Sequence, residues 1–290
     1  MRWVTVASED GPRACGVVNG EYIDVNAADP EMPASVRELL ALGLEWQRRA
    51  WDALPRGAIR HDPAQVKVLA PVPDPQKIVC IGLNYRDHAA ESGVPVPTEP
   101  VLFSKYSSAL IGHGAPIVLP KVSQEVDFEA ELVIVIGRKG RHIPRQRARE
   151  YVGGYAVGHD VSARDWQLNK PGKQWMAGKT FDTFAPLGPE LVTPDEVPDP
   201  QNLGIRLRLN GQTMQDSSTS QLVFGIDELI AYLSQVFTLE PGDMIFTGTP
   251  PGVGMARKPP VWLKPGDSVE VEIDNLGTLK NPVIADDTAV

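Results

Sequence analysis

Three carboxylate side chains in the middle of the chain could together hold a metal ion. Glu129 and Glu131 stand two residues apart in the segment Asp127 to Ile136, which has the pattern of a strand, so we expect both side chains on one face. Asp160 ends a second predicted strand. Like charges at the edge of a core repel each other, and an all-oxygen set favours Mg²⁺, Mn²⁺ or Ca²⁺ over zinc. The alternative is a solvated strand face paired with Lys or Arg, and because Asp127 shares that face, spacing alone does not select the ligands.

A histidine and a glutamate three residues apart could carry out general-base chemistry. His88 and Glu91 lie in the second half of segment 84–91, which we expect to form one or two helical turns. Residues i and i+3 are neighbours on a helix. The carboxylate could then orient the imidazole for proton transfer. A surface His–Glu pair has the same spacing. We further expect the glycine- and proline-containing segment 84–97 to act as a lid that orders on substrate binding.

Two cationic side chains and an amide follow Asp160. A one-turn helix beginning at Ser162 would place Arg164 and Gln167 on one side, and Lys179 comes a little later. Cations beside a metal suit a substrate that carries a carboxylate. Ordinary surface charge is the alternative.

A loop at residues 247–254 contains Thr249 and three glycines at the end of a predicted strand. Glycines allow the backbone to approach a ligand closely, but the loop lacks the Gly-Lys-Ser/Thr ending of a phosphate loop. We therefore expect no nucleotide there. A tight structural loop is the other interpretation.

The elements that must position these side chains fall into two parts. Residues 1–72 predict a small N-terminal α+β domain, with a type I′ hairpin turn at residues 19 and 20 and a helix from Ser35 to about Ala53. Residues 73–290 predict a strand-dominated catalytic domain with few helices. The fold class is therefore mainly β, of the α+β type.

Composition excludes several classes of protein. The 290 residues carry 28 Lys+Arg and 37 Asp+Glu, a net charge of −9, which argues against a nucleic-acid-binding surface. The best apolar run, Leu132 to Ile136, is too short to span a bilayer. Cys15 and Cys80 are expected to be buried apolar side chains. Residues 1–6 form an extended pattern unlike a secretory signal, so we expect a cytoplasmic protein.

Five ordered segments resemble the fumarylacetoacetate hydrolase superfamily over about residues 77–283. The segments are Ile81 to Tyr85 with His88 and Glu91, Asp127 to Leu132, His159 to Asp165, Gly178 to Asp182, and Gly248 to Pro250. Residues 173–175 and 257–260 are similar to the fumarylacetoacetate hydrolase domain-containing protein 2 branch. The resemblance implies a β-rich roll of mixed sheets, commonly a homodimer.

Residue roles follow from the same resemblance. It makes Glu129, Glu131 and Asp160 the ligands of Mg²⁺ or Mn²⁺, with Ca²⁺ possible in crystals. It implies that His88, oriented by Glu91, activates a water or moves a proton. Lys179 would hold or polarise the substrate oxygens, and the pocket would be lined by Arg164, Gln167 and Thr249.

The resemblance favours an enzyme acting on a small oxo-acid or diketone. Our leading prediction is a metal-dependent hydrolase that cleaves a C–C bond in a 2,4-dioxo or acylpyruvate-type acid through a metal-stabilised enolate. An oxaloacetate-type decarboxylase or an enol–keto isomerase of aromatic catabolism is the alternative, because all three reactions share that enolate. A catalytically silent metal-binding protein is the alternative outside enzymes.

Overall fold

The computed structural model describes residues 1–93 and 95–287. The strands are β1 (Arg2–Ser8), β2 (Gly11–Val18), β3 (Glu21–Asp24), β4 (Arg60–His61), β5 (Val68–Leu69), β6 (Ile78–Gly82), β7 (Val101–Lys105), β8 (Leu110–Ile111), β9 (Ile117–Leu119), β10 (Val126–Asp127), β11 (Ala130–Ile136), β12 (Val152–His159), β13 (Ser162–Ala163), β14 (Ala185–Val192), β15 (Gly204–Leu209), β16 (Gln212–Ser218), β17 (Met244–Phe246), β18 (Ser268–Ile273) and β19 (Gly277–Ala285). The α-helices are α1 (Val25–Ala28), α2 (Val36–Leu42), α3 (Leu44–Ala53), α4 (Arg86–Ser92), α5 (Arg164–Leu168), α6 (Trp175–Lys179) and α7 (Ile226–Val236).

Mixed β-sheets dominate the architecture, which confirms the predicted mainly β, α+β class. A twelve-stranded sheet runs β4-β3-β2-β1-β14-β12-β11-β17-β6-β7, with β5 paired to β1 and β8 paired to β14. A five-stranded sheet runs β16-β15-β18-β19-β9, and β10 pairs with β13. Most pairs are antiparallel, whereas β17–β6, β14–β8 and β19–β9 are parallel. The sheets are therefore mixed, as expected.

The N-terminal elements follow the sequence pattern with one difference. Asn19 and Gly20 both have positive φ, as a type I′ turn between β2 and β3 requires. The predicted single helix is instead two helices, because Gly43, with φ 92°, ends α2 and separates it from α3. Ser35 caps α2 by accepting a hydrogen bond from the Glu38 N–H.

Strand β1 joins the N-terminal strands to the rest of the large sheet. It pairs with β14 at Arg2 with Val192 and at Trp3 with Leu191. The N-terminal hairpin therefore belongs to the same hydrogen-bonded sheet as seven strands of residues 73–287, namely β6, β7, β8, β11, β12, β14 and β17. The division into domains at residues 72 and 73 stays a prediction.

Strand β11 lies at the centre of the core and is buried along its whole length. Leu132, Ile134 and Ile136 belong to the core on one face, which the five-stranded sheet covers. Val133 and Val135 belong to the core on the other face, together with apolar residues of α2. Burial on both faces explains why this strand is an uninterrupted apolar run. Two of the predicted metal-binding carboxylates lie at its beginning, with Glu131 as its second residue and Glu129 directly before it.

Candidate active site

The antiparallel pairing of β11 and β12 brings the three predicted metal-binding carboxylates together. Ala130 pairs with His159, so the beginning of β11 lies beside the end of β12. One oxygen atom from each of Glu129, Glu131 and Asp160 lies within 4.8 Å of the other two, and all three side chains are buried. Three acids that are up to 31 positions apart in the chain thus form one cluster.

The segment Asp127 to Ile136 differs from the single strand that the sequence predicts. Residues 128 and 129 interrupt it, so Glu129 lies between β10 and β11 rather than on a strand. The Gln215 side chain accepts a hydrogen bond of 2.8 Å from the Ala130 N–H, and the Glu129 carbonyl accepts one of 2.9 Å from the Asp160 N–H. These side-chain and loop contacts replace regular strand pairing at the break.

Two predicted substrate-binding cations lie directly against the carboxylates. Lys179 Nζ donates to Glu129 at 2.8 Å and to Asp160 at 2.9 Å. Arg164 Nη2 donates to Glu129 at 2.6 Å, and its Nη1 donates to Gln167 at 2.9 Å. The predicted one-turn helix begins at Arg164, two residues later than expected, because residues 162 and 163 form β13. Arg164 and Gln167 nevertheless lie on one side of it.

A third buried cation, Lys105, was not predicted from the sequence. Its Nζ lies 2.6 Å from Asp160 Oδ1 and donates to the carbonyls of Val161, Lys179 and Phe184. The side chain is fully buried. A lysine that closes an otherwise half-buried strand, β7, was the available signal. Its partners lie 55 to 79 residues further along the chain, so local spacing could not identify them.

The charges of this buried cluster do not balance among the protein side chains. Four carboxylates face three cations, which leaves a formal net charge of −1 when all four acids are ionised; the seven residues are Asp127, Glu129, Glu131, Asp160, Lys105, Arg164 and Lys179. Burial, with repulsion from Asp160 and Glu129, raises the pKa of Glu131 well above its usual value. Burial opposes the charged form of Glu129 as well, but Lys179 and Arg164 hold its pKa well below the usual value.

The donor set fits a divalent cation. The three carboxylates offer only oxygen atoms, as Mg²⁺ and Mn²⁺ prefer. Asp160 Oδ1 is buried and accepts no hydrogen bond within the part of the chain that the structure describes, although Lys105 is near. This triad of buried acids could therefore bind a metal ion.

The predicted histidine–glutamate pair forms on α4. His88 Nδ1 lies 3.0 Å from Glu91 Oε2, and the other ring edge of His88 is left for the cavity that it lines. The helix spans 86–92, in agreement with the sequence pattern. Residue 94 of the expected lid, 84–97, lies outside the described residues, so the lid stays a prediction.

A cavity of about 240 Å³ lies over the carboxylates. It is lined by seven of the nine predicted site residues: His88, Glu129, Glu131, Arg164, Gln167, Lys179 and Thr249. Asp160 is fully buried beneath them, and Glu91 stands behind His88. Apolar walls come from Phe103, Trp175 and Met255. The arrangement combines an anion-rich floor, a positioned imidazole and largely apolar walls, as expected for an enclosed small-molecule site.

A family model for the C-terminal domain of fumarylacetoacetate hydrolase matches residues 77–284. The chain belongs to the fumarylacetoacetate hydrolase family. The match covers all strands and helices that build the cavity. The family resemblance seen in the sequence is thereby confirmed, and with it membership of an enzyme family.

Two relatives in this family have names that specify a reaction. The chain is 52% identical over 288 residues to the oxaloacetate tautomerase fahd2, mitochondrial, of Xenopus laevis, covering 98% of this chain and 90% of that protein. It is also 52% identical to human oxaloacetate tautomerase FAHD2A, mitochondrial, covering 91% of this chain and 84% of that protein. These names support the predicted branch of the family.

The same names correct the expected location. Both relatives are named mitochondrial, which contradicts the cytoplasmic prediction, so that prediction is wrong. The extended pattern of residues 1–6 argues only against the apolar core of a secretory signal. Mitochondrial targeting segments are amphipathic and rich in Arg, so that pattern does not bear on them.

Solved structures with the same fold are named for different reactions. The fumarylacetoacetate hydrolase from Exiguobacterium antarcticum is 36% identical with a TM-score of 0.87, covering 98% of this chain and 99% of that one. The 5-carboxymethyl-2-hydroxymuconate delta-isomerase from Mycobacterium smegmatis is 37% identical with a TM-score of 0.78, covering 99% and 100%. The maleylpyruvate hydrolase from Sphingobium sp. SYK-6 is 35% identical with a TM-score of 0.81, covering 98% and 100%. The fold is thus shared by isomerases and hydrolases, and it does not select the reaction.

Among the described residues, no helix is both long and apolar enough to cross a bilayer.

Proposed function

We propose that this protein is a Mg²⁺- or Mn²⁺-dependent enol–keto tautomerase of an oxaloacetate-type 2-oxo acid. The observation that carries the proposal is that one positioned imidazole, His88, and a buried carboxylate cluster meet at the same small cavity. The 52% identity to two proteins named oxaloacetate tautomerase supports the choice among the reactions of the family. Hydrolysis of a C–C bond stays a prediction, because neither of these two relatives is named a hydrolase.

The buried acids Glu129, Glu131 and Asp160 would hold the metal ion. When bound, the ion supplies positive charge that draws electron density from the 2-oxo group of a substrate. With a divalent ion, the net charge of the cluster changes from −1 to +1, which suits an anionic acid. Arg164 and Gln167 line the same cavity and would bind the substrate carboxylate.

His88 would move the proton. Tautomerisation removes the proton from the enol oxygen and adds one at the neighbouring carbon, so it consumes no water and no oxidant. The bond from His88 Nδ1 to Glu91 fixes the ring so that the opposite nitrogen serves the cavity. One imidazole suffices, because the proton that it takes from oxygen is the proton that it returns to carbon. The apolar walls limit exchange of that proton with water.

We also propose that the protein is a homodimer. Leu102 on the edge strand β7 is exposed, and so are Tyr106 and Val122 nearby in the fold. The Tyr106 N–H donates to Thr180, which follows α6, and the carbonyl of Val122 accepts from Trp166 of α5, so both residues lie beside these two helices. An exposed edge strand with apolar neighbours is a common pairing surface. Sedimentation of a Tyr106→Asp variant as a monomer would support this, and an unchanged dimer would exclude this face.

The deciding experiment follows the enol form of oxaloacetate by absorbance while NMR monitors pyruvate. We expect the enol band to decay faster with protein and Mg²⁺ than with Mg²⁺ alone, with no pyruvate formed in the same period. Pyruvate appearing in step with the decay would instead establish a decarboxylase. Stoichiometric cleavage of acetylpyruvate with no effect on oxaloacetate would establish the hydrolase. Glu131→Gln with Mg²⁺ is the control for metal-only catalysis.

A further inference from the structure

The glycine-containing loop after β17 binds three carboxylates through its own backbone. The bonds run from Gly248 N to Glu131 at 2.7 Å, from Gly252 N to Glu91 at 2.9 Å, and from Gly254 N to Asp127 at 2.6 Å. Its N–H groups therefore serve protein carboxylates. Glu131 belongs to the proposed metal site, and Glu91 pairs with His88. The third acid, Asp127, contributes to the charge of the buried cluster but belongs to neither of these groups.

Asp127 is fully buried, and both of its oxygens are engaged. Oδ1 accepts from the N–H groups of Phe128 and Gly254, at 2.8 and 2.6 Å. Oδ2 accepts from Arg164 Nε at 2.8 Å and from the Met255 N–H at 3.1 Å. Four donors satisfy a carboxylate, so Asp127 has no oxygen free for a metal ion. This separates it from its neighbour Glu129, a distinction that spacing alone could not make.

Asp127 thus joins two parts of the cavity wall. Arg164 uses Nε for Asp127, while its two terminal nitrogens point to Gln167 and Glu129. Met255 lines the cavity, and its backbone is bound to the same carboxylate. The plane of the guanidinium and the position of the loop are therefore set by one side chain that lines no part of the cavity itself.

The residue at position 254 must be small for this contact to form. A Cβ at Gly254 would lie 2.6 Å from Asp127 Oδ1 and 1.9 Å from the Val261 carbonyl oxygen. Backbone cannot yield as a flexible side chain can, so any larger residue would displace the loop from Asp127. Substitution at this position therefore disturbs the contact without removing a charge.

We propose that Asp127 is a positioning residue, not a metal ligand, which acts through Arg164 and the Met255 loop to align the substrate carboxylate. Insofar as it concerns substrate, the inference rests on the proposed function. Replacing the carboxylate by an amide places an N–H₂ group against at least one of the four donors, so the guanidinium and the loop can no longer both be held.

The test compares Asp127→Asn with wild type in three measurements on the full-length protein. We expect KM for oxaloacetate to rise about tenfold or more, as for loss of a charge-assisted hydrogen bond, with a smaller change in kcat. Hydrogen exchange of the peptide containing residues 254–256 should become faster. The affinity for Mn²⁺, measured by calorimetry without substrate, should stay within about twofold of wild type, because the triad is intact.

Asp165→Asn is the matched control. Asp165 follows Arg164 and accepts from Ser123 and the Gln124 and Trp166 N–H groups, but it contacts neither Arg164 nor the loop in the described structure. We expect its KM and its exchange at 254–256 to match wild type. A double variant with Arg164→Lys supplies the coupling test: Asp127→Asn should add little to KM once Arg164 is changed.

Three results would overturn the inference. They are an Asp127→Asn variant with wild-type KM and exchange, a loss of Mn²⁺ affinity that matches Glu131→Gln, and full additivity with Arg164→Lys. Should Asp127→Asn not fold, Gly254→Ala takes its place, because it keeps the charge and displaces the loop; an unchanged KM there would contradict the inference. If wild type fails to act on oxaloacetate, the proposed function fails, while Mn²⁺ affinity and exchange still decide the role of Asp127.

Discussion

Two clefts among the described residues differ in how their charges are paired. A groove of about 1340 Å³ lies between α2, α3 and the ends of β11, β12 and β14, and it is much larger than the 240 Å³ cavity over the carboxylates. In the groove, Lys139 pairs with Glu240 and Arg138 with Glu150, and three of these four side chains are well exposed. In the cavity, by contrast, buried carboxylates outnumber the buried cations.

Charge imbalance, more than volume, favours the smaller cleft as the functional site. Exposed ion pairs contribute little and leave no demand for a ligand. Buried acids in excess of their partners are costly unless a cation joins them. The raised pKa of Glu131 expresses that cost, which arises first from burial and then from repulsion by Asp160 and Glu129. The smaller cleft therefore carries the chemistry in this account.

The largest expected effect separates the two clefts directly. Glu131→Gln should reduce turnover by at least about 10³-fold, because a Lewis acid worth several kcal/mol loses a ligand. The matched change in the groove, Glu240→Gln, should leave turnover unchanged. Steady-state assays with Mg²⁺ check both. A catalytically silent metal-binding protein would instead show no turnover even in wild type.

A smaller loss of turnover is expected when the imidazole is removed and the charge imbalance of the carboxylate cluster is kept. His88→Ala should lower kcat by about 10²- to 10⁴-fold, the usual contribution of general acid–base catalysis. Mn²⁺ affinity should not change, because His88 contacts none of the three carboxylates through a hydrogen bond in the described residues. Calorimetry beside the kinetic assay makes the comparison. Full activity of His88→Ala would show that another group moves the proton.

Metal removal should affect the stability of the protein through the cavity alone. At a free concentration of about 100 times Kd, Mn²⁺ should raise the free energy of unfolding of wild type by about 2.7 kcal/mol. Glu131→Gln should respond much less, while Glu240→Gln should respond as wild type does. Thermal unfolding with Mn²⁺ and with EDTA provides the data. An equal response of all three proteins would place the ion elsewhere.

The smallest effect belongs to the groove. Lys139→Ala removes an ion pair of 2.7 Å whose lysine is 68% exposed, so the free energy of unfolding should fall by about 0.2–1 kcal/mol. Chemical denaturation measures it, and kcat should match wild type. A fall in kcat of tenfold or more would show that the groove takes part in catalysis, and the contrast between the clefts would fail.

The sequence predicts the acids of the site better than the contacts that hold them. Periodicity places Glu129, Glu131 and Asp160 at the ends of predicted strands, and the family resemblance of the ordered motifs implies that they bind a metal ion. Pairing of β11 with β12 then brings them together, and that pairing follows from burial of apolar faces. The mainly β class could be predicted for the same reason.

Long-range contacts account for what the sequence does not reveal. Lys105 reaches Asp160 across 55 positions, and Asp127 reaches Gly254 across 127, so neither partner is visible in a local pattern. Glu129 leaves the strand because Gln215, from β16, takes the neighbouring N–H. Such contacts depend on how the sheets pack, which periodicity within one segment cannot specify.

The most direct test of the account compares enol decay of oxaloacetate for wild type, Glu131→Gln and Glu240→Gln, each with Mn²⁺ and with EDTA. The account predicts rapid decay only for wild type and Glu240→Gln with Mn²⁺, and the background rate in the other four samples. Rapid decay by Glu131→Gln, or by wild type in EDTA, would contradict the claim that the buried carboxylate cavity does the chemistry through a bound metal ion.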